Sequence, residues 1–365
     1  MFKSYIRHSG SLFVLNIPPP YGGGEIVHWF LFERIKETYD VITVSRDVHD
    51  KNTQGKFRIR NIFVALWVVL YQGYWILRLR PRTFFIGIPK DFFPFVRMSL
   101  LVHLAKLTGA MVVGDLHGMA FNFLNGSRQR YYLFTINKFD RIRVLGESIK
   151  KAIAATGFRH ELRVVDNGID EPRDTSGSIA FNPGDRMHLL YLSAISESKG
   201  FGKAIEVFKE ASRLFPGRLT IDIAGEFVDE QSRAVFENLL SDVNLSGFVK
   251  YHDRVLGEKK WDLMASSTLL LHFSRYDGQP ITIIEAMALG IPTVATKIGA
   301  IPEMISQGVN GFLVDDYLAD SIKAISGILT GSISYSQLSQ NARKTFESRF
   351  TVDRYVANIC NLAVD

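Results

Sequence analysis

The chain has 365 residues, 47% of them hydrophobic and 22% charged, enough apolar material for a buried core and, at about 100–200 residues per domain, for two domains. Its single cysteine, Cys360, excludes an intrachain disulfide and any multi-thiolate zinc cluster. The net charge of +6 is uneven: residues 1–170 carry +11 (24 Lys and Arg against 13 Asp and Glu) and the remainder −5, and a basic half points to an anionic partner such as nucleic acid, acidic lipid or a phosphorylated substrate.

The N-terminus shows no secretory pattern. The apolar run Leu12–Ile17 is too short for a signal core and ends in Pro18-Pro19-Pro20, so it reads as a first buried strand of a cytoplasmic protein. Further strands are expected at Val41–Val44, Thr83–Gly87, Met111–Gly114, Arg141–Leu145 and Leu162–Val165. Helices are expected between them at Glu25–Glu37, Ile62–Leu77, Phe93–Leu107 and Ser148–Ala155. Short apolar strands alternating with helices imply βαβ units and a parallel sheet. One helix stands apart. Ile62–Leu77 has no charge, carries Trp67, Tyr71, Tyr74 and Trp75, and is flanked by Arg58, Arg60, Arg78, Arg80 and Arg82. At 16 residues it falls short of the ~20 needed to span a bilayer. It reads either as a core helix or as an interfacial one with its arginines on lipid phosphates.

Residues Asp166–Asp185 are rich in Gly, Pro, Asp, Asn and Ser and read as a linker. The alternation then restarts. Strands are expected at Leu189–Ser193, Leu219–Ala224, Val249–Tyr251, Leu269–Phe273 and Thr293–Ala295. Helices are expected at Lys203–Leu214, Glu230–Leu240, Ile281–Leu289, Ile301–Ile305, Asp320–Leu329, Ser334–Phe346 and Val352–Ala363. The fold class is therefore α/β with two doubly wound Rossmann-like domains, 1–170 and 186–349, facing a cleft. Residues 350–365 are free to pack back on the first domain. Ligands of such sheets bind beyond the carboxyl ends of the strands.

The strongest chemical signal follows the strand Leu269–Phe273. A polar turn, Asp277-Gly278-Gln279-Pro280, leads into a helix starting near Ile281. Its first amides lack partners and its dipole is positive at that end, a combination that binds phosphate. Asp277 sits in the turn. Glu285, one helical turn in, has the chemistry to accept hydrogen bonds from a ribose diol. The glycine loop Gly22-Gly23-Gly24 follows the first strand and opens a helix, where backbone amides approach a ligand closely. Lys199-Gly200 follows the strand Leu189–Ser193 and opens another. His117 follows Met111–Gly114 on a loop. No His pair shows metal-ligand spacing.

The string from Ser274 to Pro292 resembles the acid–seven residues–acid signature of the retaining glycosyltransferases of GT-B type related to glycogen synthase (family 4). Asp277 stands where that family has Glu. The resemblance extends to Ile298-Gly299-Ala300-Ile301-Pro302-Glu303, to Asn310-Gly311-Phe312-Leu313-Val314, to Asn167-Gly168-Ile169-Asp170, to the glycine loop, and to Asp115-Leu116-His117-Gly118. It implies donor contacts from Gly23, Gly24, Lys199, Gly278, Gln279, Pro280, Ile281 and Glu285. It also implies catalytic roles for His117, Asp277 and Lys199. The family's diphosphate-binding arginine is Ala194 here, leaving one cation fewer unless another such as Arg254 replaces it. The implied activity is transfer of a sugar, with retention, from a nucleoside diphosphate sugar to a hydroxyl of a glycan or lipid-linked acceptor in cell-surface polysaccharide synthesis. No D-x-D closes a strand, which argues against metal-anchored nucleotide binding, so no metal and no cofactor is expected, and no nucleic-acid partner. The basic first half adds an expected contact with the inner face of an anionic membrane. Two other readings stand beside this one: another GT-B enzyme, such as a sugar-nucleotide epimerase or a phosphorylase, and a catalytically silent binding subunit favoured by Asp277 and Ala194.

Overall fold

The structure, a computed structural model, describes residues 2–19, 21–45, 59–118, 126–172 and 181–364. Arg58, the side chains of residues 59–65 and positions 173–180 of the expected linker lie outside them. The chain forms two compact units, one of Met1–Gly168 with Val352–Asp365, the other of Ile169–Thr351.

The first unit begins with β1 (Phe2–Tyr5), β2 (Ser11–Asn16), α1 (Gly23–Ile35) and β3 (Asp40–Val44). It continues with α2 (Ile59–Leu79), β4 (Thr83–Gly87), α3 (Phe92–Leu107) and β5 (Met111–Asp115). It closes on α4 (Gly126–Ile136), β6 (Arg141–Val144), α5 (Glu147–Ala155) and β7 (Glu161–Val164). The strands form one seven-stranded sheet in the order β1-β3-β2-β4-β5-β6-β7. All neighbours are parallel except β1, which pairs antiparallel with β3 at the edge. Strands buried on both faces need continuous apolar runs. Leu12–Leu15 supplies one, and Val41–Val44 comes close, with Thr43 its one polar residue.

In the second unit the sheet order is β10 (Val249–His252), β9 (Leu219–Ala224), β8 (Met187–Leu192), β11 (Leu269–His272), β12 (Thr293–Thr296) and β13 (Gly311–Val314). Every pairing is parallel. The helices are α6 (Phe201–Leu214), α7 (Glu230–Ser241), α8 (Glu258–Ala265), α9 (Ile281–Ala288), α10 (Ile301–Met304), α11 (Tyr317–Thr330) and α12 (Tyr335–Arg349). The last helix, α13 (Val352–Val364), belongs to the first unit. It packs against α1 and β4, and its Leu362 carbonyl accepts from Arg141.

Some expectations change. β1, α4, α8 and β13 had no counterpart among the expected elements. The start of the expected linker is built into the fold. Asn167 is buried and accepts from Arg143, and the Ile169 amide donates to the Phe350 carbonyl. The helix expected at Ile62–Leu77 runs from Ile59 to Leu79 and is neither wholly core nor wholly exposed. Val68, Gln72 and Ile76 are buried, and Gly73 lies so near Leu104 of α3 that an added Cβ would come within 3.3 Å of it. The opposite face exposes Leu66, Trp67, Leu70, Tyr74 and Leu77, each more than half accessible. Among the described residues, no helix is long and apolar enough to cross a membrane.

Candidate active site

In the second unit the chemistry gathers where β8 and β11 end. Lys199 closes a single 3-10 turn, Glu197–Lys199, capped by the Ser196 hydroxyl, which accepts from the Lys199 amide. Gly200 follows at φ +74, and a Cβ there would lie 2.2 Å from the Phe273 carbonyl oxygen. Only glycine meets both demands. The β8–α6 loop therefore lies directly on the exit of β11, where the Arg275 amide donates to the Ser198 carbonyl. That close approach brings together two residues 78 positions apart: Lys199 Nζ donates to Asp277 Oδ1 at 2.6 Å. His272, at the end of β11, sits 3.1 Å from Asp277 Oδ2. Burial would push the Asp277 carboxyl up, but His272 and Lys199 outweigh it and hold it far below the usual carboxylate range. Asp277 is thus a fixed anion and has no proton to give near neutral pH.

Gly278 fixes the turn through its carbonyl, which accepts from the Ala300 amide at 2.7 Å. Gln279 is buried, and Pro280 is the N-cap from which α9 starts at Ile281. Glu285 is only 5% exposed. Lys260 of α8 reaches it, with Nζ 2.5 Å from Oε1. Burial raises the Glu285 carboxyl above its ordinary value even with Lys260 beside it. Ala194, at the family's arginine position, contributes its carbonyl to the Tyr191 hydroxyl. Arg254 follows β10 on the exposed surface.

In the first unit His117 belongs to a buried cluster. Its Nε2 lies 2.9 Å from Asp115 Oδ2, and His28 Nε2 lies 2.9 Å from the same oxygen. Arg143, fully buried, donates to Asp115 Oδ1 and also to Val165 and Asn167. Burial would raise the Asp115 carboxyl; Arg143 and the two histidines overcome it and leave it well below the carboxylate range. Burial in turn lowers His117 despite Asp115, so its ring is neutral at physiological pH. Gly24 lies against His117, and a Cβ there would be 3.4 Å from the ring. Gly23 begins α1 beside it.

His28, Asp115 and His117 place three potential ligand atoms within 4.8 Å of one another, so their fit to a cation needs testing. The Asn16 amide donates to His28 Nδ1 at 3.2 Å. Nδ1 is then the acceptor, and the proton of the neutral ring sits on Nε2, pointing at Asp115. Binding a metal through Nε2 would require the other tautomer, with two N–H groups facing each other. The donor set fits proton-mediated hydrogen bonding and does not fit a metal ion.

Sequence reasoning singled out Lys199, Asp277, Glu285 and His117. The structure pairs the first two directly and places Glu285 buried on α9, the helix that follows the Asp277 turn. His117 and the glycine loop lie together in the first unit. The residues missed are His272, Lys260, His28 and Arg143. Only His272 left a trace, as a polar residue closing an otherwise apolar strand.

A family model described as "Glycosyl transferases group 1" matches residues 174–345, nearly all of the second unit. The second unit is a group 1 glycosyl transferase domain. The chain is 25% identical over 252 residues to an uncharacterised glycosyltransferase of Methanocaldococcus jannaschii, covering 67% of this chain and 65% of that protein. It is 30% identical over 145 residues to the amylovoran biosynthesis glycosyltransferase AmsK of Erwinia amylovora, covering 38% and 35%. It is 27% identical over 159 residues to a putative colanic acid biosynthesis glycosyltransferase, WcaL, of Salmonella typhimurium, covering 43% and 39%. The match spans less than two thirds of each relative's length. Among solved structures, HepE of Anabaena in complex with UDP superposes with a TM-score of 0.72 at 16% identity, over 96% of this chain and 98% of that one. Sucrose-phosphate synthase of Thermosynechococcus elongatus does so with 0.70 at 14%, over 96% and 98%. At such identities the likeness is one of fold, and the fold of the group 1 domain and its partner unit is GT-B.

Proposed function

We propose that the chain moves a sugar from a nucleoside diphosphate sugar to a hydroxyl of a glycan or lipid-linked acceptor, with retention, in the synthesis of cell-surface polysaccharide. The observation that carries this is the meeting of Lys199 and Asp277 at the β11–α9 turn of a group 1 domain, beside the first amides of α9. The polysaccharide assignments of AmsK and WcaL support the pathway, and the UDP held by HepE supports the donor class. In this reading the bond from the anomeric carbon to the diphosphate oxygen breaks as the acceptor oxygen attacks from the same face. The acceptor's proton passes to the departing diphosphate. Lys199 and the α9 amides stabilise the charge that grows on that group, and Glu285 holds the ribose. Asp277, with both oxygens engaged, orients and does not act as nucleophile. His117 and the glycine loop are assigned to the sugar and diphosphate on the resemblance alone. No metal is required, because helix termini and Lys199 supply the positive charge. A thermal-shift screen of UDP-, GDP- and ADP-sugars, followed by release of the nucleoside diphosphate from the one that binds, tests the reading. Stabilisation by none of them contradicts it.

The acceptor side is proposed to work at a membrane. The face of α2 that carries Leu66, Trp67, Leu70, Tyr74 and Leu77 ends in exposed Arg78, Arg80 and Arg82, and α3 adds exposed Leu100 and Leu107. Apolar surface beside arginines suits an anionic bilayer, where each basic residue contributes ~1 kcal/mol over a Debye length of ~8 Å. Co-sedimentation with vesicles of phosphatidylcholine and phosphatidylglycerol is expected at low salt, with release at high salt and weakening by Arg78→Ser, Arg80→Ser and Arg82→Ser together. Indifference to such vesicles at low salt would leave this face without a lipid role.

A further inference from the structure

Lys260 lies outside every motif of the sequence, yet it makes the one hydrogen bond that Glu285 receives among the described residues. The pair is no loose surface contact. The Glu285 side chain is 6% exposed and that of Lys260 18%, so water screens the pair poorly. The ammonium also sits 5.1 Å from the centroid of the Trp261 ring, a second contact that fixes its position. α8 buries only Met264, so packing alone does not explain why this turn brings a lysine to α9. Other charged groups near α9 are committed elsewhere. Arg343 of α12 serves the Ala288 carbonyl, Glu347 and Glu171, and Asp277 is held by Lys199 and His272. Among the described residues, Lys260 is the charged group that acts against burial at Glu285.

A buried carboxylate has about four acceptor positions on its two oxygens. Here Oε1 takes Lys260, and no donor among the described residues reaches Oε2. Resting on the reading that Glu285 holds the nucleotide's ribose, we propose that Lys260 is the positioning residue for Glu285, fixing the carboxylate through Oε1 and keeping it ionised so that its remaining acceptor positions take the ribose hydroxyls. Without Lys260 the carboxyl is buried with no partner, and burial alone favours the protonated form. A protonated carboxyl loses acceptor capacity, so the nucleotide would bind well only at higher pH.

The test is donor affinity against pH, measured by calorimetry for the wild type, Lys260→Met, Lys260→Arg, Glu285→Gln and the Lys260→Met/Glu285→Gln double variant. The probes are UDP-glucose, GDP-mannose and ADP-glucose, whichever the wild type binds; their phosphates stay ionised over the range used. In Lys260→Met the affinity is expected to begin falling at a higher pH than in the wild type, by about tenfold for each pH unit below the raised pKa. Lys260→Arg is expected to restore the wild-type profile, and Glu285→Gln to abolish the acid limb in both backgrounds. A Lys260→Met profile parallel to the wild type, whether displaced or not, overturns the positioning role, and a uniform loss would make Lys260 a direct donor contact. A Glu285→Gln variant that binds like the wild type overturns the ribose assignment itself, whatever Lys260→Met does. Unfolding curves for each variant, recorded over the same pH range, separate these effects from misfolding.

Discussion

Asp115 in the first unit and Glu285 in the second are both buried carboxylates, but among the described residues Asp115 receives three side-chain donors, from His28, His117 and Arg143, whereas Glu285 receives one. The consequences run in opposite directions. The Asp115 carboxyl is held well below its ordinary value and that of Glu285 is raised. A saturated carboxylate organises its surroundings: Asp115 ties the loop of His117 to α1 and to Arg143, which in turn lies over Tyr355 of α13. An under-donated one retains acceptor capacity that a ligand can fill. Asp277 falls between them, with one donor on each oxygen. On the proposed reading, the number of donors distinguishes Asp115, part of the framework, from Glu285, which is left with acceptor positions for a ligand.

The largest effect is expected from breaking the saturated member. Asp115→Ala leaves Arg143 buried without its counter-charge, and removing one partner of a buried pair costs about 3–5 kcal/mol. Urea unfolding checks this, and a loss under 1 kcal/mol would mean the cluster is less framework than it looks. The pH dependence has the same sign. The folded-state pKa of Asp115 lies below 3.8, so its contribution is complete above the unfolded value and is lost as pH falls through the folded one.

Next in size is Lys199→Ala. A hydrogen bond to a charged group contributes about 1.5–3 kcal/mol, and the loss is expected in both donor affinity and turnover, because the charge that Lys199 meets grows in the transition state. Steady-state kinetics with the donor varied would show it, and unchanged turnover would place the diphosphate elsewhere.

Much of this contrast was open to sequence reading, and the reasons for the rest are physical. Thr83–Gly87 and Leu219–Ala224 were expected at the bounds observed, because parallel strands buried on both faces are rich in apolar residues and closed by turn residues, even where Leu219–Ala224 carries Thr220 and Asp222. β1, with the sequence Phe-Lys-Ser-Tyr at a sheet edge, has no such run. α8 is eight residues long with one buried side chain and leaves no periodicity to detect. Asp277, Glu285 and Lys199 were legible because each lies in a local strand–turn–helix pattern. Their partners were not. Lys260 stands 25 positions from Glu285 and Arg143 stands 28 from Asp115, and nothing local to either residue announces a pairing made by tertiary packing.

The smallest effect is expected from chelation. EDTA should leave transfer unchanged if, as proposed, Lys199 and helix termini supply the positive charge at the diphosphate. Abolition by EDTA with rescue by Mn²⁺ or Mg²⁺, followed in the transfer assay, would reverse that assignment.

The most direct test of the contrast is Glu285→Gln, with donor affinity and ligand-free thermal stability measured on the same sample near neutral pH. A raised folded-state pKa means that Glu285's contribution to stability is present below 4.5 and is lost as pH rises through the folded value. The neutral Gln avoids that loss, and Lys260, partly exposed, remains in contact with water. Donor affinity is expected to fall by about 1–3 kcal/mol while the ligand-free melting temperature holds or rises. Unchanged affinity with a lowered melting temperature would contradict the assignment, making Glu285 part of the framework and leaving the nucleotide site to be sought elsewhere.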